Sequence, residues 1–144
     1  MRSQQPFHFP AWYALGCAFA LLVFTGCFGS NGYPTTAPVE GLLLYQGKPL
    51  SDANISFIPA KGRPATATTN ANGEFQLTTF VQGDGAIPGE HQVLIEKYNK
   101  PKSDDLYAPT THAIPKRYSQ IRTSPLRESV PSEGVTELRI ELED

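Results

Sequence analysis

Prolines and glycines interrupt this chain every few residues, thirteen of the one and twelve of the other in 144 positions. Proline fixes φ and removes an amide donor, and glycine weakens a helix interior, so short strands joined by turns are favoured over long helices. The punctuation fails in one place. From Ala11 to Phe24 the residues are almost continuously apolar, whereas the rest of the chain alternates polar and apolar.

The apolar run has the surroundings of a secretory signal peptide, with Arg2 before it and the small residues Thr25 and Gly26 after it. At about 14 residues it is shorter than the roughly 20 that span a bilayer as a helix. Phe24-Thr25-Gly26-Cys27 resembles the bacterial lipobox, with Phe where Leu is usual. Small residues let the peptide bond enter the peptidase extended, and the thiol is the nucleophile that takes the lipid as a thioether. Cleavage before Cys27 is therefore expected, with Cys27 lipidated and residues 1–26 removed. Two or more acyl chains, at about 0.8 kcal/mol per buried CH₂, make a durable anchor. Cys17 also follows a glycine, but a cut there strands Ala18 to Phe24 on the mature chain, so Cys17 is read as an ordinary signal-peptide residue.

Charge and cysteine usage exclude several classes. The formal net charge is −2, and without residues 1–26 the chain carries 11 basic against 14 acidic side chains, so a nucleic-acid footprint is absent. No cysteine follows Cys27, so neither an internal disulfide nor a cysteine metal site is expected in the folded part.

Residues 27–38 are dense in Gly, Ser, Thr, Asn and Pro and read as a flexible tether, with the domain over 39–144. Strands are predicted at Val39–Tyr45, Ala53–Ile58, Ala65–Thr69, Glu74–Thr79, Glu90–Lys97, Thr123–Val130 and Val135–Leu142. Gln46-Gly47-Lys48-Pro49 suits a tight turn, and Asn72-Gly73 predicts a hairpin between the third and fourth strands. Ile55, Phe57, Phe75, Leu77, Thr79, Val93, Ile95, Leu138, Ile140 and Leu142 fall on the inward positions. The stretch from Tyr98 to Thr123 is long and irregular. About seven short strands with regular turn signals predict an all-β fold, an immunoglobulin-like sandwich.

Val39-x-Gly41, Gly47-Lys48-Pro49-Leu50-x-x-Ala53-x-Ile55-x-Phe57 and Thr69-x-x-x-Gly73-x-Phe75-x-Leu77, in that order, resemble the carboxypeptidase regulatory-like, or transthyretin-like, domain. Gly83-Asp84-Gly85-Ala86-Ile87-Pro88-Gly89-Glu90-His91 and Ile114-Pro115-Lys116-Arg117-Tyr118 further resemble small lipoproteins of this type from planctomycete bacteria. The resemblance covers about residues 39 to 142 and implies a seven-stranded prealbumin-like sandwich at the cell envelope. Its motifs are turn and core positions rather than chemistry.

Candidate sites are few. Asn70, Asn72 and Glu74 offer oxygens to calcium, but a D-x-D-x-D loop is missing and turn formation is the stronger reading. His91 and His112 are the only histidines beyond residue 26 and make no recognised metal set. Transthyretin-like hydroxyisourate hydrolases use histidines, an arginine and a terminal Tyr-Arg-Gly-Ser, where this chain has Glu141-Leu-Glu-Asp144. Clustering of His91, His112 and Arg117 would revive a hydrolase, and a deep apolar pocket between sheets would favour a small-ligand carrier. Pilus-type isopeptide chemistry needs an Asn or Asp that Val135–Leu142 lacks, and neither G-x-S-x-G nor a phosphate loop is present. The irregular stretch supplies Tyr98, Tyr107 and Tyr118 with Lys100, Lys102, Lys116 and Arg117, a mixture suited to glycan or protein contact.

The expected function is accordingly a noncatalytic, cofactor-free and metal-free adhesion, scaffolding or binding module. Lipid on Cys27 would anchor it to the membrane of the bacterial envelope, with envelope proteins or polysaccharide as partners.

Overall fold

The structure is a computed structural model that describes residues 32–99 and 110–144. The unit Tyr33–Asp144 is an all-β sandwich of two sheets. Its strands are β1 (Val39–Tyr45), β2 (Lys48–Pro49), β3 (Asn54–Pro59), β4 (Ala65–Thr68), β5 (Glu74–Gln76), β6 (Gly89–Glu96), β7 (Arg127–Val130) and β8 (Val135–Leu142), with a 3-10 helix at Lys116–Ser119.

One sheet is built on β1, which pairs antiparallel with β2 and β5 and parallel with β8. The other runs β4-β3-β6-β7, all antiparallel. Alternation explains the layers. Ile55 and Phe57 of β3 sit opposite Ile95 and Val93 of β6, and all four are fully buried. They meet Leu43, Leu77, Ile140 and Leu142 from the first sheet. Burying side chains of this size stabilises by about 1.5–3 kcal/mol each.

Gly41 shows why one motif position excludes a side chain. A Cβ there would lie 2.8 Å from Phe75 Cζ and collide with the Leu138 carbonyl, so the Phe75 ring covers bare backbone at a point where the β1–β8 register also shifts. Thr69 explains another. Its hydroxyl donates to the Leu50 carbonyl (2.6 Å) and accepts from the Ala53 amide (2.9 Å), fixing the crossing between sheets where Asp52 takes a positive φ of 47°.

Three expectations need correction. The turn at Asn72-Gly73 forms, but the strands flanking it separate into different sheets, and only the isolated Thr66–Thr78 bridge joins them beyond the turn. Asn72 keeps a negative φ while Gly73 reaches +78°, so the primed two-residue hairpin is not the device used. The Lys48–Pro49 turn residues add a short eighth strand. The domain also starts before Val39. Tyr33 stacks on Phe80, and Ala37 is buried and exchanges both backbone bonds with Ala86 (2.8 and 3.0 Å), a long-range bridge that composition cannot reveal.

Candidate functional site

The strand directions give the sandwich two distinct ends. The near end gathers the incoming residues Tyr33–Ala37, the β3–β4 loop, the β5–β6 loop and the β7–β8 turn, where Val135 N–H donates to the Pro38 carbonyl (2.8 Å). The far end gathers the β1–β2 turn, the Asn70–Gly73 turn, the residues after β6 and those after β8. The eight residues of β6 separate the two by about 26 Å at roughly 3.3 Å each.

At the far end Tyr98 follows β6, is 41% exposed, and lies with its ring centroid 4.9 Å from that of His112, its bridge partner. Lys116 and Arg117 of the 3-10 helix are exposed. The Arg117 guanidinium lies over the Tyr118 ring (4.8 Å) and donates to the Glu143 carbonyl (2.7 Å). Tyr118 differs from the sequence expectation. It is buried in the core, and its hydroxyl donates to the Glu143 carbonyl (2.9 Å) while accepting from the Glu143 amide (3.1 Å), so it holds the 3-10 helix to the end of β8 instead of facing a partner. Beside it the Tyr45 hydroxyl and the Gln46 amide both donate to the Asp144 carboxylate. The hydrogen bond to Asp144, then burial and that carboxylate's charge, push the Tyr45 phenol above its ordinary value. Tyr107, Lys100, Lys102 and Cys27 lie outside the described residues.

The two histidines are not brought together. His91 stands near the start of β6 at the near end, fully buried beside Phe57, its Nε2–H donating to the Ile87 carbonyl (2.7 Å) and its Nδ1 without a partner. His112 is at the far end, so His91, His112 and Arg117 do not form one pocket. The Asn70 side chain is spent on its own turn, accepting from the Asn72 and Glu74 amides (2.9 and 3.0 Å) and donating to Glu74 (2.8 Å). Among the described residues no group of three or more His, Cys, Asp or Glu is placed to hold a metal ion. Between the sheets the space is filled by Phe57, Leu43, Ile55 and Leu77. An open groove of about 830 Å³ runs along Glu40, Leu42, Glu74, Gln76 and Arg139, with Glu40 accepting from Gln76 (2.7 Å).

At the near end Asp84 is a residue whose role sequence reasoning missed. Its carboxylate accepts from the amides of Thr79 (2.7 Å), Phe80 (2.9 Å) and Val81 (3.0 Å). Burial works to raise its pKa, but the amides of Thr79, Val81 and Phe80 outweigh that and hold it below the ordinary aspartate value. The signal was an acid flanked by two glycines, Gly83-Asp84-Gly85. Gly85 adopts φ +83°, and a Cβ there meets the Ala37 carbonyl carbon at 2.6 Å. Glu128 of β7 shifts the other way, raised by burial and then by the nearby charge of Glu90.

No family model matches the chain, and no curated protein matches it. Among solved structures, a DUF3823 family protein from Parabacteroides merdae aligns over 76% of this chain and 46% of its own length, at 15% identity and a TM-score of 0.41. A 9R-lipoxygenase from Cyanothece aligns over 76% of this chain and 16% of its own, at 12% identity and 0.38. The dioxygenase domain of a dioxygenase and carbohydrate-binding protein fusion from a cellulolytic Streptomyces aligns over 79% and 83%, at 17% identity and 0.37. The chain thus spans less than half the length of the first two. Their activities do not transfer at this distance, and the sandwich rests on its own strand pairing.

Proposed function

We propose that this chain is an exported lipoprotein held in the cell envelope through lipid on Cys27, with the sandwich as a noncatalytic binding or scaffolding module of the carboxypeptidase regulatory-like type. In this reading the far end, through Tyr98, Lys116 and Arg117, meets an envelope protein or polysaccharide. A tyrosine face stacks on sugar rings or protein side chains, and the cations supply directional donors. The observation that carries the reading is the polarity of the domain. The chain joins the sandwich at Tyr33, six residues after Cys27, while Tyr98, Lys116 and Arg117 occupy the opposite end.

The test is fractionation of cells expressing the full chain or its Cys27→Ala variant, with a photo-crosslinking residue at position 98. The wild type should partition with membranes and form a crosslinked adduct that Lys116→Ala weakens, while Cys27→Ala should be released from membranes. Retention of Cys27→Ala in the membrane fraction contradicts the anchor, and adducts unaffected by Lys116→Ala contradict the far-end surface.

A further inference from the structure

The near end carries a patch that the binding role of the far end leaves unused. Tyr33 is 60% exposed and stacks on the half-buried Phe80, with centroids 4.7 Å apart and planes 10° from parallel. Arg63 of the β3–β4 loop places its guanidinium 5.9 Å from the Phe80 centroid, and exposed Lys61 belongs to the same loop. Val81, next to Phe80, is 56% exposed. Its exposure is built in, because the Asp84 carboxylate grips the amides of Phe80 and Val81 and the Asp84 amide returns a bond to the Val81 carbonyl (3.0 Å). An aliphatic side chain is thereby displayed at a loop tip by a carboxylate turned inward.

We propose that this end rests on the phospholipid interface of the membrane that holds Cys27. Tyr33, Phe80 and Val81 enter the headgroup and upper acyl region, and Lys61 and Arg63 meet lipid phosphate. The proposal rests on the lipid-anchor reading. Chain length favours a lipid occupant: six residues from Cys27 to Tyr33 reach at most about 21 Å, less than the length of β6. Composition favours it too, since aromatic rings with a polar edge and long-stemmed cations are the side chains that settle at a membrane boundary. The acids of this end leave the patch cationic. Asp84 is bound to backbone amides, Glu128 and Glu133 belong to β7 and the β7–β8 turn, and Glu90 of β6 stands beside Ala60, at the start of the β3–β4 loop that carries the cations.

The test uses the natively acylated full chain in phosphatidylcholine vesicles doped with a brominated-acyl phosphatidylcholine. With Cys27 blocked by lipid, a bimane probe is attached at Val81→Cys and, as a far-end reference, at Asn72→Cys. Gln82→Cys serves if Val81→Cys lowers the unfolding midpoint. The near-end probe should lose about half its emission to bromine, as expected for insertion of roughly 5–10 Å. The Asn72→Cys probe should be unchanged, and Lys61→Glu with Arg63→Glu should restore the near-end emission. An acylated chain whose two probes are equally bright overturns the docking and leaves the anchor standing. A near-end probe that is blue-shifted but unquenched also overturns it, because a protein or second copy then covers the patch. Absence of the acyl mass on Cys27 overturns the anchor reading itself, and the docking with it.

Discussion

The two ends of the sandwich are closed by different chemistry. At the near end one carboxylate, Asp84, organises the long β5–β6 loop by accepting three backbone amides, and the apolar residues it positions are left facing solvent. At the far end the closure is made by side chains. Tyr118, Arg117, Tyr45 and Gln46 tie down the residues that follow β8, mostly through neutral or solvent-exposed groups. A partly buried charge on several amides is worth more than an exposed clasp, so the near end should be the stiffer of the two despite its exposed apolar tip.

That contrast predicts an order of effects. Asp84→Ala should cost about 3 kcal/mol in denaturant unfolding, because three amides lose a charged acceptor together. Tyr118→Phe keeps the buried ring and removes only the hydroxyl, so about 1 kcal/mol is expected from the same measurement. Reversal of these two would break the comparison.

Acid acts in opposite senses on two carboxylates of the near end. The folded pKa of Asp84 is lowered, so its contribution is present above the unfolded value and drains away as pH falls through the folded one; the gap between wild type and Asp84→Ala should close in strong acid. Glu128 has the opposite sign. Its folded pKa is raised, so stability is full below the unfolded value and lost as pH rises through the folded one. Glu128→Gln should therefore be slightly more stable than wild type at neutral pH and indistinguishable from it in acid, as read from thermal midpoints. The smallest effect is expected for Asp144→Ala, within about 0.5 kcal/mol, because the hydrogen bonds it accepts at the far end are solvent-exposed.

The sequence revealed most where neighbours along the chain decide the structure. Val39–Tyr45 and Val135–Leu142 are legible to their bounds because pattern and strand coincide, and Ile55, Phe57, Val93 and Ile95 point inward as alternation requires. Long-range pairing was not legible. Nothing local says that β8 lies parallel to β1, that Ala37 bridges to Ala86, or that the strands beside Asn72-Gly73 part into separate sheets. The candidate site divides in the same way. Tyr98 and Tyr118 carry the same side chain in one irregular stretch, yet one is exposed beside His112 and the other is buried against β8's end, a difference made by Glu143, 25 residues further on. Asp84 was the reverse case, a local signal between two glycines whose meaning depended only on the turn around it.

The polarity of the domain has a functional meaning only if Cys27 is the point of attachment, and intact-mass and peptide mass spectrometry of the natively expressed chain, beside a Cys27→Ala control, tests this most directly. The account predicts a mature chain beginning at an acylated Cys27, with no such species from the control. A chain that retains residues 1–26, or that carries an unmodified Cys27 in a host able to make lipoproteins, would contradict it.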